Sequence, residues 1–436
     1  MAAAETHRII YYLCTMSLYY SSQRNAINSQ NKDMLTLDII YKAGTVLKDV
    51  IHPTALIHTE KLNPEATIFL KPENLQVTGS FKVRGSGFKI SQLTDEEKSH
   101  GVLASSAGNH AQGVALAARR FGIKATICMP AGAPISKVEA TRELGAEVKL
   151  VPGVYDDAYK YALQMQEETG MTFIHPFDDE QVIAGQGTIG MEILAERPDI
   201  DVIFIPIGGG GLASGVAYAV KMLKPSVKII GVQAAGAASM QASIESDKIE
   251  TLPDVLTIAD GIAVKEPGTH TFELCKNYVD EVVTVTEDEI CAAILALIEH
   301  HKLTSEGAGA VSVAAAMFNK YPIAGKKVCC IVSGGNIDVT ILSRVINRGL
   351  MKSGRTCEML IELPDRPGSL LGLSSVIVKY GANIISLHHE RNGESPDVNS
   401  CNLRMVLETR NSEHIQEIQK GINAAGYIIL DTRAAN

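Results

Sequence analysis

Between residues 100 and 335 a short apolar run followed by a stretch of helical spacing recurs along the chain. "GVLAS" precedes "HAQGVALAARRFG", "KATICMP" precedes "SKVEATRELG", "VIFIPIGGGG" precedes "LASGVAYAVKML", and "KKVCCIVSGGN" is a further apolar run ending in a glycine loop. Strands that are apolar throughout must be covered on both faces, which calls for helices above and below a mostly parallel sheet. "TEDEICAAILALIEHHK" adds a helix with a capping box, Thr286 and Glu289, and basic residues in its last turn. Ligands of such open sheets bind beyond the carboxyl ends of the strands. The loops "SSAGNH" (105–110), "GGGGL" (208–212) and "SGGN" (333–336) each follow an apolar run and occupy that place.

The pattern changes after the segment 346–354, which reads as a linker. "EMLIELP" alternates with Met359, Ile361 and Leu363 on one face; Leu370, Leu373, Ile377 and Tyr380 recur at helical spacing. Two more alternating runs follow, the second carrying Leu403, Met405 and Leu407, and a final helix holds Ile415, Ile418 and Ile422. Strand–helix–strand–strand–helix–strand is a ferredoxin-like unit. The reading is therefore a flexible arm at 1–33, a catalytic domain at 34–345, the linker, and a small α+β domain at 355–436. The polar "SSQRNAINSQNKD" motivates the arm; Met34 is an alternative start.

A net charge of −9 argues against nucleic acid and anionic membranes as partners. The apolar "IIYYLCTMSLYY" is too short to span a bilayer. Eight cysteines include no CxxC pair, which favours reduced thiols and a cytoplasmic location over disulfides or zinc. His388 and His389 are strand neighbours pointing to opposite faces and cannot share a metal, so no metal site is expected.

"PIGGGGLASG" offers backbone amides and a helix N-terminus to an anion. No lysine follows at Walker spacing. Gly208, Gly210 and Ala213 fit G-x-G-x-x-A, but Gln233 stands where a dinucleotide site needs an acid. A compact monophosphate fits better, with tight strand–helix packing as the plainer explanation of the glycines. Lys82 lies among small residues in "TGSFKVRGSGFKI". A lysine amine, a phosphate cup and apolar surroundings together point to pyridoxal 5'-phosphate.

Six ordered motifs, "TGSFKVRGSGFKI", "SSAGNHAQGVA", "PIGGGGLASG", "TIADGIAV", "SEGAGA" and "SGGN", resemble the threonine dehydratases of the tryptophan-synthase-β-like (fold type II) group over about residues 35–345. The C-terminal "DRPGSL" and "GANI" resemble an ACT domain. Together they resemble the threonine ammonia-lyases of medium length with one C-terminal ACT domain. That resemblance implies a fold of two open α/β subdomains followed by the ferredoxin-like ACT unit. It implies that Lys82 forms the Schiff base, Phe81 lies against the cofactor ring, Asn109 bonds its 3′-oxygen, and Ser333 faces its nitrogen. Gly208, Gly209, Gly210, Gly211 and Leu212 would cradle the phosphate, and Gly261 would border the cofactor. Ser105, Ser106, Ala107, Gly108, Asn109 and His110 would receive the substrate carboxylate, and Asp365, Gly368 and Asn383 an amino-acid effector.

The implied activity is conversion of L-threonine to 2-oxobutanoate and ammonia, with side activity on L-serine, in a homodimer or homotetramer. The alternatives are a serine dehydratase or a serine racemase. In racemases of this group a serine acts as second acid/base where this chain has Ala107, and their divalent-metal carboxylates are replaced here by Gln233 and Ser239. Single residues keep plainer readings: Lys82 a surface charge, Asn109 a cap for a helix beginning at His110, Ser333 a turn residue, Glu306 an N-terminal helix charge.

Overall fold

The computed structural model describes residues 35–390 and 399–433. The expected arm at 1–33 lies outside them. The chain divides into two units, Met1–Ile337 and Asp338–Asn436.

The first unit contains two sheets. Strands β1 (Ile57–Thr59), β2 (Thr67–Pro72), β7 (Val202–Pro206), β8 (Lys228–Ala234), β9 (Glu281–Val285) and β10 (Lys327–Val332) form the larger one, in the order β1-β2-β10-β7-β8-β9. All its pairs are parallel except β1 with β2. Its centre follows from the apolar runs: Val202, Ile203 and Phe204 pair with Val328, Cys329 and Cys330, and all six are buried. Burying each such large aliphatic or aromatic side chain contributes about 1.5–3 kcal/mol. Strands β3 (Val102–Ser105), β4 (Ala125–Pro130), β5 (Glu147–Val151) and β6 (Thr172–Phe173) form the smaller, wholly parallel sheet, in the order β5-β4-β3-β6. The helix Asn109–Arg120 packs Ala111, Val114, Ala115 and Ala118 against Val102, Ala104, Ile127 and Met129 of this sheet. The two open α/β subdomains expected from the motifs are these two sheets with their helices.

The second unit is an antiparallel sheet of β11 (Thr356–Pro364), β12 (Asn383–Glu390), β13 (Ser400–Glu408) and β14 (Ile428–Arg433), ordered β12-β13-β11-β14, with helices Ser369–Lys379 and Ser412–Ala424. Its core holds the alternating residues Met359, Ile361, Leu363, Leu403, Met405 and Leu407 together with Leu373, Ile377, Ile415, Ile418 and Ile422. Leu370, placed on the same helical face by its spacing, remains 38% exposed. The segment expected as a linker, 346–354, is mostly helical. It belongs to Val339–Lys352, an amphipathic helix that clusters with the second unit, so the boundary falls after Ile337.

Candidate active site

Lys82 opens the helix Lys82–Ser91. Its position is fixed by two loops laced together. The Phe81 amide donates to the Ser333 carbonyl at 3.1 Å and the Gly335 amide to the Gly79 carbonyl at 2.9 Å. Asn336 Nδ2 donates to the Thr78 carbonyl at 2.7 Å. The lysine thus sits beside the loop that follows β10, at the carboxyl end of the larger sheet. Its Nζ donates to the Pro176 carbonyl at 2.8 Å. Loss of hydration pulls its pKa down to about 8, against the opposing pull of the Glu306 carboxylate. The bond to Pro176 and the loss of hydration set this amine apart from a solvated surface charge.

Asn109 is the first residue of its helix, and its side chain makes no capping bond. Instead Asn109 Nδ2 donates to Glu306 Oε1 at 2.6 Å and its Oδ1 accepts from Asn336 Nδ2 at 2.8 Å. Glu306, left open by the sequence, is buried at the N-cap of the helix Gly307–Met317. Burial pushes its carboxyl up to about 7, with Asp260 adding to the effect and Asn109, Lys137 and Lys82 opposing it. Gly334 and Gly261 lie against Glu306: a Cβ on Gly334 would come within 2.4 Å of Oε1, and one on Gly261 within 3.4 Å.

The four-glycine loop runs from β7 into the helix Gly211–Leu223. Gly210 has φ +100°, the left-handed region that favours glycine. A Cβ on Gly209 would lie 2.5 Å from the Phe177 ring. Packing against Phe177 is therefore one reason for the glycine run, beside the anion site at the helix N-terminus, where the first N–H groups lack intrahelical partners. Leu212 lies buried in the first turn of that helix.

Ser105 Oγ is buried and has no hydrogen-bond partner among the described residues, and Ser106 Oγ accepts from the Gly108 amide at 3.1 Å. Ala107 adds no polar atom. His110 is turned into the core, where its Nε2 meets the Ile174 carbonyl at 2.8 Å; burial and the nearby Lys82 hold its pKa down at about 3. Its ring is neutral, with Nε2 on the Ile174 carbonyl and Nδ1 buried without a hydrogen-bond partner among the described residues. Ser333 is buried, and its Oγ donates to the Ala308 carbonyl at 3.2 Å.

The loop His175–Asp178 was not singled out from the sequence, because it carries no glycine motif. His175 Nδ1 accepts from the Asp178 amide at 2.7 Å, Pro176 holds Lys82, and Phe177 covers Gly209. Behind Lys82 lies a buried ionic cluster that the sequence also left unmarked. Arg84 bonds Glu73 through Nε at 2.7 Å and Nη2 at 2.8 Å, and Glu192 through Nη1 at 2.6 Å. Lys71 meets Glu192 at 2.5 Å.

The predicted effector residues are not brought together within the second unit. Asn383 pairs with Glu408, which pairs with Thr356, at the start of β11. Asp365 and Gly368 follow the other end of β11. At about 3.4 Å per residue the separation along the strand is roughly 30 Å. The expectation that Asn383 lies near that loop is corrected by the register.

These residues fit a phosphate-bearing aldehyde. Lys82 supplies an amine of lowered pKa, Gly210 starts a helix in a glycine cup, and the buried Ser105 hydroxyl is left for a ligand. The chain matches the family described as "Pyridoxal-phosphate dependent enzyme" over residues 47–334. It is 51% identical to an L-threonine ammonia-lyase of Thermotoga maritima, over 90% of this chain and 98% of that protein. A Geobacter sulfurreducens L-threonine ammonia-lyase is 45% identical over 91% and 99%. Among solved structures, the processed form of threonine deaminase isoform 2 from Solanum lycopersicum superposes with a TM-score of 0.68 at 39% identity, covering 73% of this chain and 90% of that one. Maize serine racemase does so at 0.68 and 36%, covering 72% and 98%. The catalytic lysine predicted from the motifs and the glycine cup fall within the matched span, and the chain belongs to the pyridoxal-phosphate dependent enzyme family.

Proposed function

We propose that this protein is an L-threonine ammonia-lyase that eliminates water from L-threonine and yields 2-oxobutanoate and ammonia, with side activity on L-serine. The observation that carries the reading is the Lys82 amine, held at a pKa of about 8 and bonded to the carbonyl of Pro176, the residue before the Phe177 that covers Gly209. The choice of threonine rests on relatives of that name that match nearly their whole length.

Bound pyridoxal phosphate supplies an aldehyde that condenses with amines and a ring that accepts the electron pair of the α-carbon. Lys82 and the four-glycine loop would hold it, with Phe81, Asn109, Ser333 and Gly261 around it. Lys82 Nζ takes the α-proton: near pH 8 about half of the free amine is unprotonated, against a small fraction at the ordinary value. Ser105 and the amides at the start of the helix Asn109–Arg120 receive the substrate carboxylate. The Asn109–Glu306 pair fixes the side of the site facing that helix. Loss of the α-proton and the β-hydroxyl leaves an enamine, which water converts to the 2-oxo acid and ammonia. The Ser333 hydroxyl, whose one proton is given to the Ala308 carbonyl, is a poor proton source for a ring nitrogen, which suits expulsion of a β-hydroxyl over prolonged carbanion chemistry. A racemase reading needs a second acid/base, and Ala107 has no proton to give.

The second unit has the strand order and helices of an ACT-like domain. We read it as a site for an amino-acid effector. Asp365 and Gly368 stand at the opposite end of β11 from Asn383, so a site using both sets needs a second copy of the chain, which supports a homodimer or homotetramer. Cys128, Cys275, Cys291, Cys329, Cys330, Cys357 and Cys401 are buried and form no disulfide among the described residues, which supports a cytoplasmic location. Among the described residues no helix is long and apolar enough to cross a membrane.

The test is formation of 2-oxobutanoate from L-threonine and pyruvate from L-serine, with and without isoleucine or valine. Absence of both 2-oxo acids rejects the lyase. Rates indifferent to both amino acids reject these two effectors. D-serine appearing as fast as pyruvate restores the racemase.

A further inference from the structure

We propose that Asp365, His389 and Cys401 form a divalent-metal site of the zinc class at one end of the C-terminal sheet. One ligand atom from each of the three lies within 4.8 Å of the other two. The site is separate from the lysine chemistry and does not depend on it.

The register explains how three separate segments converge. Cys401 is on β13, which lies between β12 and β11. His389 of β12 is paired with Leu403, and Leu363 of β11 with Cys401. Directly paired residues share a face of the sheet, and so do residues two apart on a strand. His389, Leu403 and Cys401 are therefore on one face, and Asp365 leaves β11 two positions after Leu363. His388 lies on the other face, so two adjacent histidines still cannot share an ion. The partners of His389 come from neighbouring strands, which the sequence alone does not reveal.

The chemistry of the set is specific. A thiolate, an imidazole and a carboxylate suit zinc over magnesium or calcium, which take oxygen ligands. Three protein ligands leave the fourth position of a tetrahedral site to water. His389 Nε2 stands 2.8 Å from Cys401 Sγ, and the thiol also points at the Leu363 carbonyl at 3.4 Å. Zinc bonds of about 2.0 Å to nitrogen and about 2.3 Å to sulfur hold the two ligand atoms somewhat farther apart. The exposed His389 ring can open by that amount, while Cys401 is anchored in the core. The Asp365 backbone is tied down by its amide, which donates to the Asn399 carbonyl at 2.8 Å. On binding, the Cys401 S–H bond breaks, its proton passes to solvent and a sulfur–metal bond forms.

The experiment loads the full-length, cofactor-bound protein with zinc chloride, dialyses it against metal-free buffer, and measures zinc per chain and its affinity by competition with a chromogenic chelator. About one zinc per chain is expected. His389→Gln and Asp365→Asn alter exposed side chains and should preserve the fold, checked by circular dichroism. Each should weaken zinc by at least about tenfold, and Cys401→Ser by more. Wild-type protein that loses its zinc on dialysis, or a folded His389→Gln chain that binds it as tightly as wild type, overturns the proposal.

Discussion

Asn109 Nδ2 donates to Glu306 Oε1 at 2.6 Å, joining the first residue of one helix to the N-cap of another 197 positions later. The carboxyl in this pair is buried and its pKa rises from 4.5 to about 7. The fold therefore prefers Glu306 protonated. The stability linked to that proton is fully present below pH 4.5 and is lost as pH rises through about 7. At pH 8 the ionised carboxyl opposes folding by up to about 3 kcal/mol. Glu306→Gln keeps an acceptor for Asn109 and removes the charge. Its thermal midpoint should exceed that of wild type at pH 8, and the two should converge near pH 4.5.

Arg84 is fully buried with both its carboxylate partners in place. Burial pushes the Glu192 carboxyl up, but Arg84 and Lys71 outweigh it and hold it down at about 2. Replacing Arg84 by methionine strands Glu73 without its cation, and removing one partner of a buried pair costs about 3–5 kcal/mol. Denaturant unfolding should show a loss of this size. Since Arg84 lies two residues after Lys82 on the same helix, activity per folded molecule should fall as well.

Gly210→Ala places a methyl group 2.7 Å from the Thr271 Cβ on a backbone with φ +100°. The strain costs about 1–3 kcal/mol, and it falls at the helix start that would receive the phosphate. Cofactor affinity, followed by absorbance titration, should weaken by at least about tenfold. Unchanged affinity in a stable Gly210→Ala protein would remove the anion role and leave packing as the reason for the glycine.

The apolar runs made the strands legible because a strand buried on both faces needs no partner information to be recognised. Lys82 and the glycine loops were singled out because six ordered motifs resemble one family, while each residue alone kept a plainer reading. Glu306 stayed open because its partner Asn109, itself bonded to Asn336, comes from another loop, and only the fold makes them neighbours. Lys71, Glu73, Arg84 and Glu192 carry no local motif and were not singled out for the same reason. Asn383 was misplaced because strand polarity, which the alternating pattern does not encode, puts it at the opposite end of the sheet from Asp365. The linker was misread because the helix Val339–Lys352 is amphipathic and continues through the predicted boundary.

The central claim is that the amine of Lys82 carries the cofactor. Protein reconstituted with pyridoxal phosphate should be reduced with borohydride, digested, and its pyridoxyl-modified peptide identified by mass spectrometry. The account predicts one modified site, Lys82, and no such adduct together with no 2-oxo acid formation in Lys82→Ala. A stable adduct on another lysine, or undiminished turnover in Lys82→Ala, contradicts it.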